Sequence, residues 1–279
     1  MRSKFFLLSF LFWMACIFTC KAAEIYPKWV VYYGSDASTQ SLLEYSVLVF
    51  DGDEHPILQP FLENRSTVLG YLNLVEVEKE RFYFDQIQKE GLLLEENEIW
   101  KGSYFVDIRD PRWAKFVLEE LVPYLLFQRF SGLFLDTIDN AIEMEQTDPK
   151  KYQGMMKATA DLIKAIRLNY PQIKIMVNRG YEILPMIASD IDMVCAESLY
   201  SDYNFELKKY QKVPKKEYLA TVKKLNKIRE KNPHLQLFSL DYWDPKDPQT
   251  IREIYAIQRK AGFIPYVATV DLQRVIPEP

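Results

Sequence analysis

The stretch SGLFLDTIDN, residues 131–140, decides the fold that we predict for this chain of 279 residues. A short apolar run ends on Asp136, and a second aspartate, Asp139, follows three residues later. A continuous apolar run of this length is typical of a strand that is buried on both faces, as in a parallel sheet. The stretch therefore predicts a buried parallel strand that ends on carboxylates.

Seven more apolar runs of this kind occur along the chain and alternate with segments of helical periodicity. The eight predicted strands are residues 28–34, 45–53, 66–74, 131–139, 173–180, 191–200, 235–243 and 263–272. Residues 149–169, 214–231 and 248–260 have apolar side chains three or four positions apart and are predicted helices. Eight alternating units of this type predict an α/β fold, a single-domain (β/α)8 TIM barrel.

Residues 75–130 interrupt the alternation of strands and helices. They contain a ninth candidate strand, GSYFVDIRD at 102–110, and then a predicted helix at 111–130. We interpret the ninth strand as part of an elaborated loop after barrel strand 3 and not as a barrel strand.

Residues 1–23 begin with two cations, Arg2 and Lys4, before an apolar run and small residues at the end, which predicts a signal peptide before a barrel domain at 24–279. The apolar run is shorter than the roughly 20 residues that a spanning helix needs, so no membrane span is expected in the mature chain. We expect a secreted protein, or one of the periplasm or cell envelope. A lipid anchor on Cys16 or Cys20 is an open alternative.

Polar and aromatic residues gather at the carboxyl ends of the predicted strands, whereas few acidic residues, Asp190 among them, lie beside the strand starts. The candidate site residues are Tyr33, Asp51, Tyr71, Asn73, Asp107, Asp136, Asp139, Asn178, Glu197, Tyr200, Asp241, Trp243 and Asp271. Carboxylates around a cleft suit two kinds of chemistry, glycosidic cleavage or the binding of a hard divalent cation. Aromatic rings at the same ends favour a sugar ligand.

The sequence lacks the motifs that are typical of several classes of function. The chain has two histidines and no metal-binding or nucleotide-binding motif, so we expect no metal and no cofactor. Its net charge of −4 comes without a basic stripe, which argues against nucleic acid as a partner. We expect a monomer.

Six segments together resemble one protein family: WVVYYG (29–34), LGYLN (69–73), FVDIRDPRW (105–113), GLFLDTIDN (132–140), IMVNRG (175–180) and AESLY (196–200). In this order they resemble glycoside hydrolase family 114, the endo-α-1,4-polygalactosaminidase-like barrels. The resemblance implies a glycosidase that cleaves α-1,4 links in polymers of galactosamine or N-acetylgalactosamine.

The resemblance also implies roles for two carboxylates. By position, the strand-4 aspartate of the family falls on Asp136 and the strand-6 glutamate on Glu197. Asp136 would be the nucleophile and Glu197 the acid/base of a retaining mechanism, with the other candidate residues binding substrate. Two alternatives stay open: a non-catalytic barrel that binds glycans or scaffolds an envelope complex, and a metal-dependent hydrolase that uses the same acids.

Overall fold

The computed structural model describes residues 27–279, so the predicted signal peptide lies outside the described residues. A nearly closed barrel of eight parallel strands forms its centre. With the strands of the described residues numbered in chain order, the barrel contains β1 (Trp29–Tyr32), β2 (Val47–Phe50), β3 (Thr67–Asn73), β7 (Gly132–Asp136), β8 (Lys174–Asn178), β9 (Met193–Glu197), β12 (Gln236–Tyr242) and β13 (Ile264–Ala268). All eight predicted strands and the predicted TIM barrel are confirmed.

The first and last barrel strands meet at their carboxyl ends. The backbone N–H of Tyr33 donates a hydrogen bond of 2.9 Å to the carbonyl of Leu272. At the other end of the barrel, Gly132 allows β7 and β8 to approach closely. A Cβ atom on Gly132 would lie 1.9 Å from the carbonyl oxygen of Lys174, so no other residue fits there without a backbone shift.

The elaborated loop after β3 contains β4 (Glu76–Glu78), β5 (Leu93–Glu96) and β6 (Ser103–Val106). These strands pair in the order β4-β6-β5 as a separate antiparallel sheet, which confirms that the ninth predicted strand is not a barrel strand. A hairpin of β10 (Ser201–Asn204) and β11 (Lys209–Lys212) follows β9 and was not predicted. Its strands are mostly half-buried or exposed, so they lack the apolar run that predicted the others.

Helices surround the barrel. They are α1 (Thr39–Leu42), α2 (Gln59–Glu63), α3 (Phe84–Lys89), α4 (Pro111–Phe116), α5 (Val122–Phe127), α6 (Ile138–Thr147), α7 (Met155–Asn169), α8 (Leu184–Ile187), α9 (Lys215–Lys231) and α10 (Pro248–Lys260), with a π-helical segment, Val117–Leu121, between α4 and α5. The helix predicted from residue 149 begins only at Met155. The Asp148 side chain accepts two backbone N–H groups of a turn, and Gly154 has φ of +92°, which ends that turn before the helix.

The core fills the barrel and the space under the helices. The Trp29 ring lies 5.1 Å from the ring of Phe238 and 6.2 Å from that of Tyr266, so aromatic side chains close the amino-terminal part of the interior. All three are almost fully buried, and each such side chain contributes about 1.5–3 kcal/mol to the free energy of unfolding. This packed interior holds the strand ends that carry the polar side chains.

Candidate active site

Asn178 joins the two carboxylates that the sequence singled out. Its Nδ2 atom donates hydrogen bonds of 2.9 Å to Asp136 Oδ1 and 2.5 Å to Glu197 Oε2. The three residues are the last residues of β7, β8 and β9, which are neighbours in the barrel. Asp136, Asn178 and Glu197 therefore form one cluster at the carboxyl end of the barrel, where TIM-barrel enzymes carry their chemistry.

The chain turns sharply after Asp136 and after Asn178. Thr137 and Arg179 have φ of 61° and 56°, a left-handed conformation that is uncommon for residues other than glycine. The Thr137 hydroxyl donates to the Asp136 carbonyl at 2.7 Å and accepts the Val75 N–H at 3.1 Å, and these bonds hold the turn. The peptide bond between Glu197 and Ser198 is cis.

Glu197 accepts a hydrogen bond on each carboxylate oxygen. Asn178 donates to Oε2, and the Tyr242 hydroxyl donates to Oε1. Burial and the nearby charge of Asp136 raise the pKa of Glu197 to about 7, although both hydrogen bonds and Arg179 act in the opposite direction. A carboxyl group with this pKa holds a proton in a large share of molecules at neutral pH.

Tyr33, Tyr71 and Asn73 lie near Asp136. The two tyrosine rings lie 5.0 Å apart, and the Tyr71 hydroxyl donates to Asn73 Oδ1 at 2.7 Å. Asn73 is paired with Asp136 in the register of β3 and β7, so both side chains lie on the same face of the sheet. Burial and then the charge of Asp136 raise the pKa of both tyrosines well above the usual value, which keeps their hydroxyl groups protonated.

Two arginines form ion pairs with further candidate acids at the rim. Arg81 binds both oxygens of Asp51, at 3.1 and 2.8 Å, and also contacts Asp53 and Glu78. Burial alone would raise the pKa of Asp51, but the hydrogen bonds and charge of Arg81 outweigh it and the pKa is lowered. Arg179 forms the second ion pair, with its Nε atom 3.0 Å from Oδ2 of Asp139.

Asp139 lies in the first turn of α6, close to Asp136. Burial and then the charge of Asp136 raise its pKa, while Arg179 acts in the opposite direction. The charge of Asp139 therefore belongs to the electrostatic surroundings of the cluster.

The structure buries Asp241, which the sequence predicted to bind substrate. Its side chain is fully buried and accepts the backbone N–H groups of Tyr200 at 2.6 Å and Ser201 at 2.8 Å, with Gln258 donating at 2.5 Å. A direct contact between Asp241 and sugar is incompatible with this burial. Asp241 instead anchors the segment that follows Glu197, and burial raises its pKa to about 6.

Four other candidates lie apart from the cluster. Asp107 pairs with Arg109 in the elaborated loop at 2.8 Å. Asp271 accepts the Thr269 hydroxyl at 2.7 Å in the turn after β13. Tyr200 and Trp243 pack against a group of buried apolar side chains that belong to α10 and β13.

Tyr242 contacts the cluster through Glu197 and was not among the residues that the sequence predicted. Leu240 pairs with Glu197 in the register of β12 and β9, and alternate residues of a strand share a face. Tyr242 therefore points toward the mouth of the barrel with Glu197, whereas Asp241 and Trp243 point away from it. The sequence predicts that side chains alternate between the two faces of the strand. It does not show which of residues 241–243 share a face with Glu197.

Two properties of residues 27–279 concern metal ions and membranes. Among these residues, no group of three or more His, Cys, Asp or Glu side chains is arranged to hold a metal ion. No helix in the same range is long and apolar enough to cross a membrane.

An eight-stranded barrel with an Asp and a Glu close together at its carboxyl rim is an arrangement found in TIM-barrel glycoside hydrolases. The sequence model of glycoside-hydrolase family GH114 matches residues 19–278, and the chain belongs to this family. The chain is thus a member of a glycoside-hydrolase family, and the predicted family resemblance is confirmed.

Two relatives from bacteria share part of this sequence. An uncharacterized protein of Thermotoga maritima is 25% identical over 74% of this chain, and the match spans only 66% of that relative's own length. An uncharacterized protein of Deinococcus radiodurans is also 25% identical, over 81% of this chain and 73% of the relative.

Two solved structures share the fold. The glycoside hydrolase domain of PelA from Pseudomonas aeruginosa superposes with a TM-score of 0.78 at 22% identity, over 89% of this chain and 96% of that domain. Aspergillus fumigatus Ega3, solved in complex with galactosamine, superposes with a TM-score of 0.64 at 14% identity, over 90% of this chain and 96% of Ega3. At these identities the likeness extends to the fold alone.

Proposed function

We propose that the chain hydrolyses α-1,4-linked polymers of galactosamine or N-acetylgalactosamine by a retaining mechanism. Asp136 acts as the nucleophile and Glu197 as the acid/base. The observation that carries this proposal is the single nitrogen of Asn178 that binds an oxygen of each carboxylate.

The hydrogen bonds of Asn178 limit the separation of the two carboxylates. Because one nitrogen lies 2.9 Å from Asp136 Oδ1 and 2.5 Å from Glu197 Oε2, these oxygens are at most about 5.4 Å apart. Retaining glycosidases have carboxyl groups about 5–5.5 Å apart, whereas inverting enzymes need about 6.5–9.5 Å to admit a water molecule. The limit of about 5.4 Å on the two bonded oxygens is closer to the retaining range than to the inverting range and so supports retention.

The proposed mechanism uses Glu197 as a proton donor and Asp136 as a carboxylate nucleophile. Protonated Glu197 gives its proton to the glycosidic oxygen while ionised Asp136 attacks the anomeric carbon, so the glycosidic bond breaks as the bond to Asp136 forms. Glu197, now ionised, takes a proton from water, and the resulting hydroxide displaces Asp136 from the sugar. The raised pKa of Glu197, to about 7, suits a group that gives and then takes a proton near neutral pH.

The rim chemistry supports an amino sugar. Asp51, Asp53 and Glu78 share the single guanidinium of Arg81, so this part of the rim keeps a net negative charge that attracts a sugar ammonium group. The galactosamine in the complex of Ega3 supports the same class of substrate. Tyr33, Tyr71 and Asn73 then bind the sugar beside Asp136.

The site of action follows from the predicted signal peptide. Residues 1–23 would be removed on export, and the mature domain at 24–279 would act as a monomer outside the cell or in the cell envelope. Amino-terminal sequencing of the protein recovered from its native host tests the cleavage.

Reducing-end release tests the proposal directly. Purified mature protein is incubated with acetylated and deacetylated α-1,4-galactosamine polymers, beside Asp136→Asn and Glu197→Gln. Asp161→Asn and Glu119→Gln are matched controls, because both remove an exposed surface carboxylate. We expect cleavage by the unsubstituted protein and the controls, and its loss in both site variants. Binding without cleavage by the unsubstituted protein would support the non-catalytic alternative.

A further inference from the structure

The turn after Asp136 is held by the segment that leaves β3. The carbonyl of Asp136 accepts the backbone N–H of Leu74 at 3.1 Å and the hydroxyl of Thr137 at 2.7 Å. The same hydroxyl oxygen accepts the backbone N–H of Val75 at 3.1 Å. One hydroxyl group therefore joins the backbone of the proposed nucleophile to the segment that begins the elaborated loop.

Thr137 has a backbone conformation that is unusual for its residue type. Its φ of 61° lies in the left-handed region, where a β-branched residue is an outlier and Gly, Asn and Asp are more usual. Such a conformation persists only where the surrounding structure imposes it, and it occurs often at active sites. The two hydrogen bonds of the hydroxyl give a reason for threonine here, because none of the three usual residues has a hydroxyl group.

Glu76 makes a second connection between the elaborated loop and the residues that follow Asp136. Its side chain is buried, and Oε1 accepts the amide N–H groups of Asn97, at 2.9 Å, and of Asn140 in the first turn of α6. Oε2 accepts the hydroxyl of Ser103 on β6. Burial raises the pKa of Glu76, and the nearby charge of Asp136 acts in the same direction.

The elaborated loop holds the same segment from its other side. The carbonyl of Leu74 accepts the indole N–H of Trp113 on α4 at 2.9 Å, and the carbonyl of Val75 accepts the N–H of Val106 on β6 at 2.9 Å. All four residues are fully buried. The segment cannot shift without breaking buried hydrogen bonds, and an unpaired buried polar group is costly.

The far end of α6 is tied to the same loop. Arg109 donates to the backbone carbonyls of Lys151 at 3.0 Å and Gln153 at 3.1 Å, in the connection between α6 and α7. Asp107 accepts two hydrogen bonds of 2.8 Å from the Arg109 guanidinium and so fixes its orientation. Contacts at both ends of α6 thus come from the elaborated loop.

We propose that Thr137 and Glu76 are positioning residues, which hold Asp136 where its carboxylate meets both Asn178 and the anomeric carbon of the polysaccharide. This inference rests on the proposed function, because it assigns the two residues to the placement of the proposed nucleophile. An error of about 1 Å in the position of a reacting group can lower the rate about a hundredfold. The elaborated loop then sets the geometry of the site from outside the barrel.

Steady-state kinetics of two Thr137 variants separate positioning from binding. Thr137→Val replaces the hydroxyl with a methyl group, and we expect kcat to fall about tenfold or more with KM within about twofold. Thr137→Ser keeps the hydroxyl and should retain kcat within about twofold. Thr159→Val is the matched control, because it removes a buried hydroxyl that donates to a backbone carbonyl within α7.

Two variants of Glu76 test the second connection. Glu76→Gln keeps the oxygen that accepts from Asn97 and Asn140, and its new amide group can donate to the Ser103 hydroxyl, so kcat should stay within about twofold. Glu76→Ala removes all three hydrogen bonds and should lower kcat about tenfold. It also tests the inference if Thr137→Val does not fold, and thermal unfolding of each variant shows which ones do.

Crystal structures of the same variants give a measurement that needs no activity. We expect the hydrogen bond of 2.9 Å from Asn178 Nδ2 to Asp136 Oδ1 to be kept in Thr137→Ser and Glu76→Gln. The same bond should be lost in Thr137→Val and in Glu76→Ala, because the turn that carries Asp136 shifts. A residue with only a structural role elsewhere, such as Thr159, should leave this bond unchanged.

Two results would overturn the inference. One is a bond between Asn178 and Asp136 that survives in both Thr137→Val and Glu76→Ala. The other is a rise in KM with kcat retained, which would show that the two residues act on substrate binding. If the unsubstituted protein releases no reducing ends, the proposed function fails, and the crystal structures still decide whether Thr137 and Glu76 position Asp136.

Discussion

Tyr242 donates its hydroxyl hydrogen to Oε1 of Glu197 from the neighbouring strand of the barrel. The other oxygen of Glu197 accepts from Asn178, whose amide nitrogen cannot accept a hydrogen bond in return. A hydroxyl group can reverse its hydrogen bond, so Tyr242 is the partner that can adapt when Glu197 gains or loses its proton. The pair thus suits a carboxyl group that changes its protonation state twice in each reaction cycle.

The pH dependence of hydrolysis should follow Glu197. Because its pKa is raised to about 7 and the acid must be protonated, we expect kcat/KM to fall as the pH rises above about 7. The Tyr242 hydrogen bond stabilises the ionised form and lowers the pKa, so Tyr242→Phe should move this decline to higher pH. Rate profiles of both proteins between pH 5 and about 9 measure the change. A decline at the same pH in both proteins would contradict the role of Tyr242.

Asn178 should matter for the rate more than for binding. Asn178→Ala removes the donor that joins both carboxylates, and we expect kcat to fall about a hundredfold with a much smaller change in KM. Steady-state kinetics on a defined oligomer measure both constants. Asn169→Ala, an exposed change at the end of α7, is the control. A variant that loses affinity but keeps kcat would show that Asn178 binds substrate instead.

Asp241 should stabilise the fold through hydrogen bonds and not through its charge. In Asp241→Ala the buried N–H groups of Tyr200 and Ser201 lose their acceptor, and we expect the free energy of unfolding to fall by about 3 kcal/mol. Asp241→Asn should be milder, because Gln258 Oε1 has no partner and can accept the new amide N–H if the Gln258 amide rotates. Urea unfolding of both variants measures the difference, and equal losses would refute this explanation.

The raised pKa of Glu197 should make the free energy of unfolding fall as the pH rises. Its folded pKa of about 7 exceeds the ordinary value of 4.5, so the folded protein binds more protons between these values and stability falls across that range. Glu197→Gln removes the titration, and its stability relative to the unsubstituted protein should increase by up to about 3 kcal/mol from pH 4.5 to 7. Thermal unfolding at several pH values follows the difference. A difference that is independent of pH would contradict the raised pKa.

The barrel was predictable because its strands are buried on both faces. Such strands need near-continuous apolar runs, and all eight runs became barrel strands. The β10–β11 hairpin escaped prediction because its strands have no continuous apolar run and depend on pairing with each other and on the hydrogen bond to Asp241. Local patterns do not record a contact of that kind.

The candidate site was predictable at the strand ends but not in its details. Asp136, Asn178 and Glu197 were found because each closes a buried strand. The run Asp241-Tyr242-Trp243 was misread because a shift of one residue reverses the face of every side chain, and the sequence does not give the register of β12 against β9. Asp107 and Asp51 looked like free acids because their arginine partners, Arg109 and Arg81, are positioned by loops.

Covalent trapping tests the central claim most directly, namely that Asp136 attacks the sugar while Glu197 moves the proton. A galactosaminyl fluoride with a second fluorine at the ring carbon C5 slows hydrolysis of the glycosyl-enzyme, so mass spectrometry of peptic peptides can locate the bound sugar. We predict one sugar on the peptide that contains Asp136, and none in Asp136→Asn. A sugar on another carboxylate, or no adduct together with release of a product of inverted anomeric configuration, would contradict the account.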